Sequence, residues 1–276
     1  MPTINTNVAA IKARSNLDKV QRDLDTSIAR LSSGKRITRA HDDAAGSAIA
    51  GRMESQIRGL TNNIRHAKDG QSLVDTQEGA LQEISGILQR MRELAVQSAS
   101  GIATSADKGY LNTEMTALVA EVNAISTNTK FNDTAVLTGT AFKFYMDIDV
   151  AGTAVSVLGV DMAMTAIIVT AVGKITIAAQ AVANVQNVIG FIDAGIANVD
   201  SNRASLGALS NRFDHIIDNL TNVVANTESS KSRIEDADFA VETTQLTRNT
   251  VLQQAATSMV AQANVQKNSI LALIQD

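Results

Sequence analysis

The sequence predicts a mainly α protein: a long segmented antiparallel helical bundle or coiled coil with a small β-hairpin subdomain in its middle. Three features lead there. The 276 residues include a single proline, Pro2, and because an interior proline costs a helix about 3 kcal/mol, nothing after it forbids very long helices. Apolar residues make up 45% of the chain and aromatic ones only 3%, so a core must be built from slim aliphatic side chains that suit helices packed along their length. Two segments of similar length carry heptad stripes, and rods of equal length can bury such stripes against each other from end to end.

Taken in order, the first element is a short stripe of Leu17, Val20, Leu24, Ile28 and Leu31. Asp42 or Asp43 then stands where an N-cap is needed. The helix it opens, from about Asp43 to Ser98, has the stripe Ile57, Leu60, Ile64, Ala67, Gln71, Val74, Glu78, Leu81, Ile84, Leu88, Met91 and Ala95. At 1.5 Å per residue it is about 80 Å long. A turn-like Ala99 to Ser105 follows, and Thr104 with Asp107 resembles a capping box for a third helix striped by Leu111, Met115, Leu118, Val122 and Ile125.

The middle breaks the helical period. From Phe142 to Val150 side chains alternate, with Phe142, Phe144, Met146, Ile148 and Val150 on one face, as in a half-buried strand. Ala151 and Gly152 can turn the chain into a second strand through Val155 and Val157. Helical spacing resumes with Val182, Val185, Ile189, Ile192, Ile196, Val199, Arg203, Leu206, Ser210, Phe213, Ile217, Leu220 and Val224. A helix from about 180 to 231 is roughly 75 to 80 Å long. Ser232 with Glu235 reads as the capping box of a last helix, whose stripe is Leu252, Ala256, Met259, Ala263, Gln266, Ile270 and Leu273. Each terminal stripe is too small to fold alone, so another helix, from the same chain or a neighbour, must cover it. In the unassembled chain the ends are expected to be disordered or molten and to fold against neighbours, so that assembly is coupled folding and binding.

Several function classes are disfavoured. A formal charge of -4 gives no electrostatic drive toward nucleic acid or an anionic membrane. There is no cysteine for a disulfide, thiolate metal site or nucleophile. The N-terminus lacks the apolar core of a cleavable signal peptide. The longest apolar stretch, Met162 to Gly173, is short of the roughly 18 residues of a membrane span. Neighbouring His41, Asp42 and Asp43 converge poorly on a metal, and Ser33-Gly34-Lys35 lacks the earlier glycine of a phosphate loop. Glu235, Asp236 and Asp238 are read as acids favoured by the dipole of a helix start. Lys35, Arg36 and Arg39 are read as a hydrated connector. No acid, base, nucleophile and metal set converges, so neither enzyme activity nor a cofactor is expected.

LSSGKRITRAHDDAAGSAIAGRM (31–53), LQRMRELAVQSASG (88–101), TKFND (129–133) and RIEDADFAVETTQLTRNTVLQQAATSMVAQAN (233–264) closely resemble bacterial flagellin. The motifs lie in the family's order, and the resemblance covers roughly residues 1–140 and 180–276. It implies that residues 1–42 form an N-terminal inner-tube helix and connector. Residues 43–140 are then the N-terminal part of a spoke domain, with a long helix, a shorter helix and the start of a hairpin. A short central β subdomain at 141–179 replaces the family's outer domains, 180–231 is the returning spoke helix, and 232–276 holds a connector and the C-terminal tube helix. The terminal apolar residues, Leu17, Val20, Leu24, Ile28 and Leu31 with Leu252, Ala256, Met259, Ala263, Ile270 and Leu273, become the inner-tube assembly set.

The implied function is a structural subunit that polymerises with copies of itself into a helical homopolymer outside the cell, exported unfolded by the flagellar type III route. Implied partners are an export chaperone on the C-terminal helix, hook-side junction and distal cap proteins, and a host's toll-like flagellin receptor. No nucleic acid and no membrane insertion are implied. Leu88, Gln89, Arg90, Arg92, Glu93 and Leu94, with Glu114 on the next helix, match the family's spoke-contact and receptor surface, with Met91 where a β-branched residue is commoner. On charge pattern alone, Arg90, Arg92 and Glu93 read as a solvated, ion-paired helix face. A hook–filament junction protein shares such terminal helices, and an intracellular signalling coiled coil shares long heptads. Continuous spoke motifs argue against the first, and the central strands against the second.

Overall fold

The computed structural model describes residues 6–137, 142, 144 and 182–275. Five helices lie among them: α1 (Val8–Ser33), α2 (Ala44–Ser98), α3 (Ser105–Asn128), α4 (Val182–Glu235) and α5 (Phe239–Gln275). An antiparallel hairpin of β1 (Lys130–Phe131) and β2 (Thr134–Ala135) follows α3. Contacts divide the chain into one unit of Arg58–Val224 and another of Met1–Ile57 with Ala225–Asp276. The predicted strand from Phe142 and the central subdomain 141–179 lie outside the described residues, apart from Phe142 and Phe144.

In the Arg58–Val224 unit the stripes of α2 and α4 pack antiparallel. Gln71 donates to Asp214 at 2.9 Å, Arg203 to Glu78 at 2.7 Å and Arg92 to Asp193 at 2.7 Å. Each step along α2 is thus matched by a step back along α4. Leu81, Leu88 and Met91 of α2 meet Val199, Leu206 and Phe213 of α4 in one buried cluster, to which α3 adds Met115 and Val122. Glu78 and Arg203, polar members of two apolar stripes, answer each other. Phe213 lies so close to α2 that a Cβ on Gly70 would stand 2.7 Å from its Cζ.

The shorter elements close this core. Thr104 and Asp107 form the predicted capping box. Hydrogen bonds from the Thr104 hydroxyl and then its backbone N–H hold the Asp107 carboxyl below its ordinary value. Asn132 and Asp133, with φ of 48° and 61°, supply the two left-handed residues that a type I′ hairpin turn requires. The hairpin delivers the Val136 carbonyl to Nε2 of Gln77 at 2.9 Å, which explains how an amide 3% exposed is tolerated within α2. Half-buried Phe142 and Phe144 pack on the same cluster, Phe144 edge-on to Phe213 with ring centroids 6.3 Å apart.

In the other unit, α1 ends at Gly34, whose φ of 70° lets its N–H reach back to the Arg30 carbonyl at 2.8 Å. The connector then pairs with the chain between α4 and α5. Arg36 N–H donates to the Glu235 carbonyl at 2.7 Å and Ala237 N–H to that of Gly34 at 3.0 Å, around a bridge of Lys35 with Asp236. Asp43 caps α2, its Oδ1 accepting the Gly46 N–H at 2.8 Å. Asp42 instead gathers the N–H groups of Thr38 and Arg39 and the Thr38 hydroxyl, and the Arg39 bond first among these holds its carboxyl below the ordinary value.

Two expectations need correction here. Helix α4 runs to Glu235 rather than 231, so Ser232 lies inside it and caps nothing; Asp238 caps α5, accepting from Ala240 and Val241 at 2.9 and 3.2 Å. The helix runs on because the connector satisfies its last carbonyls, including that of Ile234, which takes a guanidinium N–H from Arg36 at 2.6 Å. Glu235 consequently stands at a helix end where the dipole disfavours an acid, and Lys35 and Lys231 neutralise it. The connector's Lys35, Arg36 and Arg39 remain exposed, as a hydrated link requires, while its backbone clasps the segment between α4 and α5.

Candidate functional site

Helices α1 and α5 lie antiparallel, so the cover that each terminal stripe needs comes from the same chain. The half-buried face of α1 holds Leu17, Val20, Leu24 and Leu31 as expected, but its fully buried member is Ser27, while Ile28 faces solvent at 47% exposure. On α5 the covered face is Glu242, Leu246, Asn249, Gln253, Ala256, Val260 and Ala263. Of the predicted stripe, Ala256 and Ala263 are on it, whereas Leu252 and Met259 are off it, at 41% and 64% exposure. The side chains of Ile270 and Leu273 lie outside the described residues.

The seam is held by polar contacts at three heights. Asn7, which also caps α1 by accepting from Ala10, donates Nδ2 to the Ala263 carbonyl at 3.0 Å. Gln253 donates to Gln21, and Arg30 pairs with Glu242 at 3.1 Å. Outside the seam an apolar surface stays uncovered, with Val8 and Ile11 at 60% exposure on α1 and Phe239 at 69%, Val251 at 60% and Val265 at 59% on α5.

The second candidate set separates by burial. Leu88 and Leu94 are 2% and 1% exposed, so they belong to the core and offer nothing to a partner. Met91 is buried with them. Gln89, Arg90, Arg92, Glu93 and Glu114 are exposed. Arg90 forks to Glu114 at 2.9 Å and Glu93 at 3.1 Å, and hydrogen bonds to these, Glu114 first, raise its pKa above the ordinary value. Arg92 is raised likewise by its bond to Asp193. The surface is thus a set of pre-ordered charges, and Asp193 is a member that the sequence reading missed, since nothing local pairs residues so distant.

No helix of the described residues is long and apolar enough to cross a membrane. None of their acidic and histidine side chains gather into a metal-binding group. Residues 4–141 match the family model described as the bacterial flagellin N-terminal helical region, and residues 189–274 that of the C-terminal helical region. The chain belongs to the bacterial flagellin family.

This flagellin is 39% identical to a flagellin of Halalkalibacterium halodurans over 272 residues, 99% of each chain. It is 37% identical to the flagellar filament 31.3 kDa core protein of Treponema maltophilum, again over 99% of each. The crystal structure of Bacillus cereus flagellin matches 59% of this chain and 94% of that one at 28% identity, with a TM-score of 0.49. Beyond Asp193, the residues that sequence reading missed are Asn7, Gln21, Glu242 and Gln253. The available signal was Arg30 in the last turn of α1 and Glu242 in the first turn of α5, a basic and an acidic residue at helix ends that suit them.

Proposed function

We propose that this flagellin, a structural subunit of the flagellar filament, polymerises through the apolar faces that α1 and α5 leave uncovered, and performs no chemistry. The observation that carries the reading is the combined exposure of Val8, Ile11, Ile28, Leu252 and Met259. Because each is already about half covered, burying it in a copy-to-copy contact contributes about 1 kcal/mol, and several together offset part of the entropy of joining a polymer. In this reading the helix pair is the tube-forming part of the subunit and the rods of α2 and α4 are its spoke-forming part.

The same reading has the chain leave the cell through the flagellar type III route. An export chaperone grips α5, and hook-side junction and distal cap proteins bound the filament. The exposed polar and charged side chains of Gln89, Arg90, Arg92, Glu93 and Glu114 serve as a spoke contact and as the surface met by a toll-like flagellin receptor. The decisive experiment is deletion of residues 1–31 or 241–276. Each truncated chain should stay soluble and helical yet fail to sediment after short filament seeds are added, whereas normal elongation by either one refutes the proposal.

A further inference from the structure

The stripes of α2 and α4 repeat, so apolar burial alone leaves their register open. Were α4 to slide by seven residues, about 10 Å, Leu206, Phe213 and Leu220 would take the places of Val199, Leu206 and Phe213, and the seam would stay apolar. The exposed pairs choose no better. In that slide Asp200 comes beside Arg92 where Asp193 stands, and Thr221 beside Gln71 where Asp214 stands, so each surface donor finds a new acceptor.

Two other contacts do tell the registers apart. Arg203 donates Nε and a terminal nitrogen to Glu78 Oε1 at 2.9 and 2.7 Å, so that a polar member of each stripe meets the other as an opposite charge. A slide of seven would set Arg203 against Ser85 or Gln71 and leave Glu78 against Ser210 or Ile196. Phe213 rests on Gly70 so closely that no side chain fits between them, and the same slides would press its ring onto Gln77 or Asn63. Both of those are buried amides, and that of Gln77 is already committed to the Val136 carbonyl. Gly79 and Gly86, also on α2, face open space and offer the ring no second seat. Stability alone does not explain the ion pair. Its side chains are 34% and 36% exposed, which makes its contribution small, and Oε2 of Glu78 is buried without a hydrogen-bond partner. The best-attested use of such a polar pair in an apolar helix seam is to specify register.

We infer that the Glu78–Arg203 pair and the seat of Phe213 on Gly70 form a register lock, which selects one antiparallel alignment of α2 and α4 from those that their repeating stripes allow. Each half penalises a slide differently. The first strands a charge, and the second drives an aromatic ring onto a polar side chain. The lock thereby decides which residues of α4 stand beside Arg90, Arg92 and Glu93 of α2, and so the composition of the surface that the two rods share. It operates within one chain, ahead of any assembly.

The chain has no cysteine, so Glu83→Cys on α2 and Asn222→Cys on α4, both at exposed positions, can carry spin labels whose separation reports register in the unassembled full-length chain. The labels stand at different heights along the rods, so a slide of seven changes their separation by about 10 Å. With the lock intact a single distance is expected. With Glu78→Leu, Arg203→Leu and Phe213→Leu added, a second population shifted by about 10 Å should appear while helix content by circular dichroism is kept. Exchanging the pair, Glu78→Arg with Arg203→Glu, keeps the lock and should return the single unshifted distance. One unshifted distance in the triple-leucine chain assigns register to the connector or the hairpin and overturns the inference. Loss of helix in that chain also overturns it, because the three residues are then stabilisers rather than selectors, and so does an equal shifted population in the exchanged pair.

Discussion

At Gly70 two residue-level effects oppose each other and their sizes decide the outcome. Alanine is favoured over glycine inside a helix by about 1 kcal/mol. Here, however, the new methyl would stand 2.7 Å from Cζ of Phe213, whose ring is 1% exposed and held edge-on by Phe144. A ring so enclosed has nowhere to withdraw, and overpacking costs about 1–3 kcal/mol. Gly70→Ala should therefore lower stability in chemical denaturation, and adding Phe213→Leu should recover part of the loss. A rise in the midpoint for Gly70→Ala alone would defeat this account. The sequence signalled the position only as a glycine within a long helical pattern. Glu78 and Arg203 were more legible, because each was a polar break in an apolar stripe and two breaks in facing stripes are best satisfied by each other.

Elements were legible where local chemistry sets them and not where tertiary contacts do. The start of α2 and the capping box of α3 follow from residues within one turn, and both are where the sequence put them. The end of α4 depends on carbonyl partners supplied by residues 34–36, some two hundred positions away, and Ser232 misled for that reason. The facing of α5 was misread because Val241, Leu246, Val251, Leu252, Met259 and Val260 surround the helix, leaving no single apolar face to find. The α3 cap yields a pH prediction at this scale. The folded-state pKa of Asp107 is depressed below its ordinary value of 3.8. Its contribution is thus fully present above 3.8 and is lost only as pH falls through the lower folded value. Protection of the first-turn amides of α3, taken relative to their intrinsic exchange rates, should hold down to about that ordinary pH and fall below it. Asp107→Asn should remove the pH dependence, and persistence of the step in that variant would assign it to another group.

For the whole molecule, the division of labour between its two units fixes what assembly must look like thermodynamically. The rods bury their large aliphatic residues within the chain, with Leu81, Val199 and Leu206 at 0% exposure, so they have little further apolar surface to remove from water there. The terminal pair covers Leu17, Val20, Leu24, Leu246 and Val260 only partly and leaves Val8, Ile11, Leu252 and Met259 outside. Filament growth by covering that face must remove apolar area from water, and the robust marker of such burial is a negative heat-capacity change. Titrating monomer into seeds at several temperatures should give an elongation enthalpy that becomes more negative on warming, and growth should weaken on cooling as the hydrophobic drive fades. Leu252→Ser with Met259→Ser should shrink the temperature slope without altering the rods. A slope near zero, or one those two substitutions leave untouched, would mean that copies join through charged rod surfaces such as the Arg90–Glu114 cluster, and that the exposed terminal faces have another occupant.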